Sequence, residues 1–338
     1  MRPFTYIRAP DRAAALREAA GAAGPSHIEA PAQYLAGGTT LLDLMKLDVM
    51  RPDRLVDINP LSREHGTIHA DPDRLRLGAL AHMAEAAGHP AVRRDYPMIA
   101  ESLWLAASPQ IRNMASLGGN VLQRTRCPYF RDVSWDACNK RRPGSGCAAM
   151  EGVNRRLAIL GVSDRCIANY PGDFAVALAA LGATVDIEGA KGARVVAFED
   201  LHRLPGETPH IETTLAPGEL ITGFVVPAGP WTRRSLFLKV RDRESYEFAL
   251  ASAAVALELD GPTVREARIG LGGLAAKPWR AHEAEAALRG QSLDERQAQA
   301  AADAAFAAAR PPKDAAFKVE LGKRTLVRAL LQAKAMEV

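Results

Sequence analysis

Hydrophobic and polar positions along the chain follow two periods, and their order predicts short strands and short helices. The stretches "AQYL", "RLVDIN", "RLRLGAL", "ATVDIEG", "ARVVAF" and "LITGFVVP" alternate or are rich in β-branched residues, as strands are. Helical spacing marks "APDRAAALREAAGAAG" and "GDFAVALAALGA"; Asp11 is placed to cap the first of these helices, and Gly21 or Gly24 to end it. The first strand, glycine turn, helix and second strand predict a small β-α-β unit over about residues 1–60.

The pattern changes near residue 235, and this change predicts a second domain. Three strands, "SLFLKV", "ASAAVALEL" and "VREARIGLGGL", are followed by alanine-rich helical stretches up to the C-terminus. The stretch "PAGPW" precedes them, as is typical of a boundary. We therefore expect an α+β protein with one domain at 1–228, divided into subdomains of about 1–60 and 61–228, and another at 229–338.

Composition and charge exclude several classes of function. The chain has 43 basic and 39 acidic residues, a net charge of +4 over 338 residues, and only 6% aromatic residues, so it lacks the features of a nucleic-acid-binding surface. No apolar run reaches the roughly 20 residues of a membrane helix, and the N-terminus lacks the apolar core of a secretory signal. We expect no nucleic acid partner and no membrane span, in a chain that folds in the cytoplasm and reaches the periplasm only with a signal-bearing partner.

Two glycine turns offer the first candidate binding site. The stretch "LAGGTTLL" (35–42) places two glycines and two threonines between a strand and a helix, and "SLGGN" (116–120) is a second polar glycine turn. Glycine lets backbone N–H groups approach an anion closely, although neither turn has the spacing of a Walker loop or of a Rossmann fingerprint. The first octapeptide alone favours an ordinary tight turn over a pyrophosphate cradle by about two to one. The presence of two turns favours one extended ligand between two subdomains.

All four cysteines, Cys127, Cys138, Cys147 and Cys166, lie within 40 residues of one another. Nothing in the sequence places the chain in a compartment where disulfides form, and the spacing lacks the short cysteine pairs typical of structural zinc sites. A loop of this length can also wrap an iron–sulfur cluster, and spacing alone leaves zinc and a cluster equally favoured. Positive charge that could offset thiolates, or form a solvated or partner-binding surface, comes from six residues: Arg124, Arg126, Arg131, Lys140, Arg141 and Arg142.

Three motifs in one order give the sequence a family resemblance. "LAGGTTLL", "QIRNMASLGGNV" and "FLKVRDRESYEFALASAAVAL" together resemble the flavoprotein component of the molybdenum hydroxylases, the group of xanthine dehydrogenase and carbon monoxide dehydrogenase, from about residue 5 to the C-terminus. The resemblance implies a two-subdomain FAD-binding domain of the vanillyl-alcohol oxidase type. It also implies a C-terminal α/β domain of the carbon monoxide dehydrogenase flavoprotein type.

The resemblance also implies which residues contact FAD. The family's Pro-Ser-Asp motif is Pro171, Gly172 and Asp173 here, so the serine hydroxyl has no counterpart. Lys239 stands where the family has a lysine near the flavin ring, whereas the alternative is a strand-end lysine in water. The implied FAD-binding residues are Leu35, Ala36, Gly37, Gly38, Thr39, Thr40, Leu41, Leu42, Ser116, Gly118, Gly119, Asn120, Thr125, Asp173, Ile221 and Lys239.

The cysteine segment, residues 126–167, interrupts the family pattern between the second glycine turn and Asp173. Two branches of the family carry a [4Fe–4S] loop at this point, the periplasmic aldehyde oxidase flavoprotein and the 4-hydroxybenzoyl-CoA reductase β subunit. The segment is more similar to the first of these. The resemblance therefore implies that Cys127, Cys138, Cys147 and Cys166 hold a [4Fe–4S] cluster.

The implied function is that of an electron-transfer subunit in a molybdenum-containing aldehyde oxidoreductase. The chain shows no molybdopterin site, no ferredoxin-like cysteine pairs and no catalytic motif, so we assign it no catalytic residue. The expected partners in a heterotrimer are a large molybdenum-cofactor subunit, a small [2Fe–2S] subunit and an external electron acceptor. The alternatives are a subunit of a 4-hydroxybenzoyl-CoA reductase-like or xanthine dehydrogenase-like complex and, in another class, a zinc-stabilised binding module.

Overall fold

The structure, a computed structural model, describes residues 1–20 and 30–338 and has the mixed α+β content that the sequence predicts. Its strands form three separate sheets. The strands in the described ranges are β1 (Thr5–Arg8), β2 (Ala32–Leu35), β3 (Arg54–Asp57), β4 (Ile68–Ala70), β5 (Arg74–Gly78), β6 (Thr184–Gly189), β7 (Gly192–Ala197), β8 (Leu220–Pro227), β9 (Ser235–Val240), β10 (Ala251–Asp260), β11 (Thr263–Gly272) and β12 (Trp279–Arg280).

The α-helices are mostly short, and the longest is at the C-terminal end of the chain. Short 3-10 turns occur at Asn59–Leu61 and Lys313–Ala315. The α-helices in the described ranges are α1 (Arg12–Ala20), α2 (Leu41–Lys46), α3 (Ser62–His65), α4 (Met83–Gly88), α5 (Pro90–Asp95), α6 (Pro97–Trp104), α7 (Pro109–Met114), α8 (Leu117–Val121), α9 (Pro128–Arg131), α10 (Phe174–Leu181), α11 (Phe198–Leu201), α12 (His282–Leu288), α13 (Glu295–Phe306) and α14 (Phe317–Lys334).

The first sheet contains the predicted β-α-β unit. Strands β1 and β2 both pair in parallel with β3, in the order β1-β3-β2. The predicted cap of α1 is confirmed, because the Ala14 N–H donates to Asp11 Oδ1 at 2.8 Å. Gly21 and Gly24, the predicted ends of this helix, lie outside the described residues. Strand β1 was missed because its four residues are mostly exposed and carry no alternating apolar signal.

The second sheet is antiparallel, with the strand order β4-β5-β8-β6-β7. Helix α10 is buried along its whole length and packs through Phe174 against Phe224 of β8. On its other side the same helix meets β11, where a Cβ at Gly270 would lie 2.6 Å from the Val176 carbonyl oxygen. Helix α10 thus joins two sheets, and its first turn is fixed on both sides.

The third sheet, in the order β12-β11-β10-β9, is antiparallel and is covered by α12, α13 and α14. Its apolar core includes Leu257, Ile269, Leu326 and Leu330, all fully buried. In the part of the chain that the structure describes, no helix is long and apolar enough to cross a membrane.

Residues 126–167, which we call the insert, have little regular structure. Helix α9, of four residues, is the one helix within it. The insert has a small apolar cluster that contains Cys127, Cys138 and Cys166 together with Phe130 and packs on Leu44 of α2. The apolar cluster of the insert therefore includes its own thiols and packs against α2 of the first β-α-β unit.

Candidate functional site

The two predicted glycine turns lie back to back. A Cβ placed on Gly37 would be 1.8 Å from the Met114 carbonyl oxygen and 3.1 Å from the Ala115 Cα, so only glycine allows this approach. Gly38 has a φ of 71°, which favours glycine for a second reason. In the other turn, Ser116 Oγ accepts the Gly119 N–H at 3.2 Å. The fold therefore brings together two turns that are about 80 residues apart in sequence.

A cavity of about 1100 Å³, which we call the first cavity, opens where these turns meet. Its walls are the first β-α-β unit on one side and the start of β8 on the other, as expected for a ligand between two subdomains. Arg124 is a charged lining residue that the sequence did not assign to the flavin. The predicted FAD-binding residues that line it are Ala36, Gly37, Gly38, Thr39, Thr40, Leu41, Ser116, Gly118, Gly119 and Ile221.

A second cavity of about 1280 Å³ shares Thr39 and Thr40 with the first, so the two form one extended cleft. The predicted residues Asn120 and Asp173 line this second cavity. Two polar atoms at its wall are buried and have no hydrogen-bond partner: Asn120 Oδ1 and Arg126 Nε. Buried polar atoms are normally satisfied, so one orphan acceptor and one orphan donor indicate a polar ligand here. The residues present therefore fit an extended molecule such as FAD.

Asp173 and Lys239 form a buried ion pair between the start of α10 and the end of β9. Lys239 Nζ lies 2.6 Å from Asp173 Oδ2 and donates to the Leu105 carbonyl oxygen at 3.0 Å. The side chains are 1% and 5% exposed, so the alternative of a lysine in water is wrong. Burial raises the pKa of Asp173, and the ammonium group of Lys239 opposes that rise. Lys239 lies behind Asp173 and lines neither cavity, so its direct contact with the flavin stays a prediction.

Three other predicted residues also lie outside the lining of both cavities: Leu35, Leu42 and Thr125. The side chains of Leu35 and Leu42 flank Gly38, and both would lie within 3.3 Å of a Cβ added there. The Thr125 hydroxyl accepts the Cys127 N–H at 3.2 Å and so fixes the start of the insert. These three residues support the site in the structure, and their contact with FAD stays a prediction.

The missing serine of the family motif has a steric explanation. A Cβ on Gly172 would lie 2.7 Å from the Tyr170 ring and 2.8 Å from Gln123 Nε2. Tyr170 is held in place because its hydroxyl donates to the Val121 carbonyl oxygen at 2.8 Å. Glycine is therefore the residue that this packing accepts, and a serine hydroxyl at this position has no room.

All four cysteines line one small cavity of about 290 Å³, which we call the cysteine cavity. The backbones of Cys138 and Cys147 face each other in an antiparallel bridge, and the Ala168 N–H donates to Cys166 Sγ at 3.5 Å. The backbone N–H groups of Phe130 and Tyr129 near Cys127 favour its thiolate and partly oppose the rise in its pKa.

The thiols are free in the structure, and burial dominates their protonation. Burial raises the pKa of Cys127 to about 12 and that of Cys166 to about 11, and it also raises the pKa of Cys147. Neutral thiols are therefore favoured until a metal displaces the protons. Within residues 1–20 and 30–338, no group of three or more histidine, cysteine, aspartate or glutamate side chains is placed to hold a metal ion. The [4Fe–4S] cluster stays a prediction.

The basic residues around the cysteines are mostly paired with carboxylates outside the insert. Arg126 and Arg131 bind Asp43 of α2 at 3.1 and 2.8 Å. Arg124 and Lys140 bind Glu212 at 2.8 and 3.3 Å. Of the six bases, only Lys140 lines the cysteine cavity. Four of the six bases therefore have counter-ions outside the insert. The two interpretations of the six bases, charge that offsets thiolates or a solvated or partner-binding surface, stay predictions.

A loop that the sequence did not assign to the site closes the second cavity. Tyr246 lines this cavity with a φ of 52°, a strained backbone for an aromatic residue. Its loop is tied to the insert, because Arg156 binds Asp242 at 2.9 Å and Glu247 at 3.1 Å. The one available sequence signal was the run of charged residues "RDRESYE", which follows β9 directly.

Comparison with protein-family models decides between a flavoprotein and a binding module. Residues 2–229 match the model for the FAD binding domain in molybdopterin dehydrogenase, and residues 237–333 match the carbon monoxide dehydrogenase flavoprotein C-terminal domain. The chain belongs to the family of FAD-binding subunits of molybdenum hydroxylases. The predicted fold class is confirmed, and the zinc-stabilised binding module is excluded as a class because the matched domain binds FAD.

Individual relatives agree with this assignment over the whole chain. The chain is 45% identical over 336 residues to the aldehyde oxidoreductase FAD-binding subunit PaoB of Escherichia coli K12, with 99% of each chain covered. It is 28% identical to the carbon monoxide dehydrogenase medium chain of Afipia carboxidovorans, with 90% and 89% covered. Among solved structures, a reconstituted carbon monoxide dehydrogenase from Oligotropha carboxidovorans superposes with a TM-score of 0.76 at 26% identity, with 100% of each chain covered.

Proposed function

We propose that this chain is the electron-transfer subunit of a molybdenum-containing aldehyde oxidoreductase. It carries FAD and one [4Fe–4S] cluster, and it passes electrons from the molybdenum and [2Fe–2S] centres of partner subunits to an external acceptor. The observation that carries the proposal is the 45% identity to an aldehyde oxidoreductase FAD-binding subunit across 99% of both chains. Bound FAD supplies the redox chemistry that can accept electrons one at a time and deliver them singly or in pairs.

The first cavity is the proposed site of the pyrophosphate and adenosine portions of FAD. Gly37 and Gly38 allow the backbone to approach the phosphates, and Thr39 and Thr40 offer hydroxyl and N–H donors. Arg124 at the same wall supplies a positive charge that stabilises the phosphate anions.

The second cavity is the proposed site of the ribityl chain and the flavin ring. Asn120 Oδ1 and Arg126 Nε can satisfy polar atoms of the ring, and each is unsatisfied in the structure. Asp173 lines this cavity beside Lys239, and its carboxyl oxygens can accept hydrogen bonds from ribityl hydroxyls. Lys239 acts through Asp173 in this arrangement, as a positioning residue.

The cysteine cavity is the proposed site of the cluster. Four cysteine sulfurs around one small space form the donor set that iron–sulfur clusters use, and the Ala168 N–H that donates to Cys166 Sγ stabilises negative charge there. The 4-hydroxybenzoyl-CoA reductase-like alternative shares this donor set, so substrate assays must separate the two.

Purification of the assembled complex through this chain tests the proposal. We expect FAD, iron with acid-labile sulfide, and two partner chains of which one contains molybdenum, together with oxidation of aldehydes by an added acceptor dye. Turnover of aromatic CoA thioesters or of purines without aldehyde oxidation would assign the chain to one of the other complexes. Zinc in place of iron after anaerobic purification would overturn the cluster.

A glycine variant tests where FAD binds. Gly37→Ala should yield complex with little FAD, because the new Cβ must displace the Met114 carbonyl and so separate the two turns. Gly88→Ala is the matched control, because nothing lies within 4 Å of the added Cβ. Full flavin occupancy in the folded Gly37→Ala complex would mean that the turns are only structural.

A further inference from the structure

A buried carboxylate connects the flavin site with the cysteine site. Glu212 lies in the segment between α11 and β8, and its Oε1 is 2.8 Å from Arg124 Nη2 and 3.3 Å from Lys140 Nζ. The side chains of Glu212, Arg124 and Lys140 are 15%, 7% and 11% exposed. One oxygen atom is therefore shared by two cations in an environment from which water is largely excluded.

The two cations line one surface cavity together, and each also reaches a separate cavity. Arg124 lines the first cavity, and Lys140 lines the cysteine cavity. The Arg124 guanidinium also lies 4.5 Å from the ring centroid of Phe130, a residue of the insert that lines the cysteine cavity. A displacement of the insert would therefore move Arg124 through two contacts. One is ionic and runs from Lys140 through Glu212, and the other is the packing of the Phe130 ring against the guanidinium.

Glu212 depends on both cations for its charge. Burial alone would raise the pKa of Glu212, but Arg124 and Lys140 together lower it to about 2, so it is ionised at neutral pH. Loss of one cation leaves a buried charge that is only partly compensated, and such groups reorganise their surroundings. The position of Lys140 therefore affects how Glu212 holds Arg124.

We propose that Glu212 couples the two cofactor sites, so that FAD is bound more tightly when the cysteine cavity contains its cluster. The cluster fixes the insert and with it Lys140, Lys140 fixes Glu212, and Glu212 aims Arg124 at the phosphates in the first cavity. This coupling rests on the proposed function, because it requires both cofactors. Linkage makes it reciprocal, so bound FAD also strengthens the binding of the cluster.

A double-mutant cycle on the purified complex measures the coupling. Cys147→Ser removes the cluster, Glu212→Gln removes the shared charge, and the FAD dissociation constant is measured in all four combinations by adding FAD to deflavinated protein. We expect Cys147→Ser to raise this constant at least about tenfold when Glu212 is present and less than about twofold in the Glu212→Gln background. In the reverse direction, removal of FAD should lower the chelator concentration that takes half of this chain's iron in the wild type but not in Glu212→Gln.

Two further variants keep the test decisive. Lys140→Met breaks the same connection on the cysteine side and keeps both partners of the Arg124–Glu212 pair in the chain, so it should uncouple the sites even if Glu212→Gln folds poorly. Glu207→Gln is the control, because this carboxylate lies on the same segment as Glu212 and binds Arg165 at 3.0 Å. It is 81% exposed and makes no contact with Arg124 or Lys140 among the ion pairs of the described residues. Additive effects in the cycle, or equal coupling in Glu212→Gln and Glu207→Gln, would overturn the inference. A wild-type complex that contains no FAD or no iron would instead overturn the proposed function.

Discussion

The cysteine insert (residues 126–167) and the rest of the described chain, which we call the framework, differ in how their candidate binding groups relate to their apolar cores. The framework places its candidate ligand contacts at the ends of strands and helices whose core, with Phe174, Phe224 and their neighbours, is complete without a ligand. The insert has one helix of four residues, and three of its four cysteines are themselves members of its apolar cluster. Its binding groups are thus part of its core.

The difference predicts how each region responds to the loss of its ligand. A framework whose core is independent of FAD can present an open cleft, whereas an insert whose core consists partly of thiols loses packing when those thiols have nothing to bind. Charge follows the same division, because Arg126 and Arg131 of the insert bind Asp43 of the framework, and Lys140 of the insert binds Glu212. The insert therefore takes its counter-charges from the framework, which it contacts at α2, at the loop after β9 and at α14.

The largest expected effect is on the insert alone. Cys147→Ser should abolish the iron bound by this chain, because a hydroxyl is a poor ligand for iron–sulfur clusters. Amide hydrogen exchange across residues 126–167 should then become fast, while β10 and β11 keep their protection. Val153→Ser, at an insert position that is 72% exposed, is the control and should change neither iron content nor exchange. Unchanged protection of the insert after iron loss would contradict the contrast between the two regions.

A large loss of stability in the framework is expected only when a buried charge loses its partner. Lys239→Met leaves the Asp173 carboxylate without its partner at 2.6 Å, and the free energy of unfolding should fall by about 3–5 kcal/mol. Urea unfolding measures this change. The double variant Lys239→Met/Asp173→Asn should recover part of the loss, because no unpaired charge remains. A single variant as stable as the wild type would show that the pair is not a structural link between α10 and β9.

Acid should weaken the junction between the two regions. The pKa of Glu212 is about 2 in the folded protein against an ordinary 4.5, so its stabilisation is complete above pH 4.5 and is lost as the pH falls towards 2. The shift corresponds to about 3 kcal/mol of unfolding free energy. Urea unfolding at pH 6 and at pH 3 should therefore show a smaller acid effect in Glu212→Gln than in the wild type. Equal pH dependence in both proteins would remove Glu212 from the junction.

The smallest effect is expected at the surface. Arg156 is 53% exposed and binds Asp242 and Glu247, so Arg156→Ala should cost about 0.2–1 kcal/mol. This difference from the wild type should disappear in about 1 M salt, which screens exposed charges. If the free energy of unfolding falls by more than this and the difference persists in salt, contacts other than surface ion pairs hold the insert to the Tyr246 loop.

Local signals predicted much of the framework, and contacts between distant segments account for what they missed. The strand, glycine turn and helix around Gly37 and Gly38 could be read directly, because backbone requirements act within a few residues. The Asp173–Lys239 pair joins residues 66 positions apart, and neither local sequence marks the other as its partner. Glu212 sits in "HIETTL", a stretch with no motif, so only folding shows that it lies between two cations.

The insert is held by residues near the C-terminal end of the chain, so the order of synthesis affects when it can fold. The backbone N–H of Asn154 donates to Asp314, whose own N–H donates back to the Asn154 side chain, and Lys318 donates to the Leu157 carbonyl oxygen at 2.9 Å. A ribosome adds about 5–20 residues per second, so roughly 8–30 s separate the synthesis of Cys166 from that of Lys318. During that interval the thiols lack the C-terminal segment that holds the insert in place. Under the proposed function, delivery of iron and sulfide to this site therefore follows synthesis of the last helix.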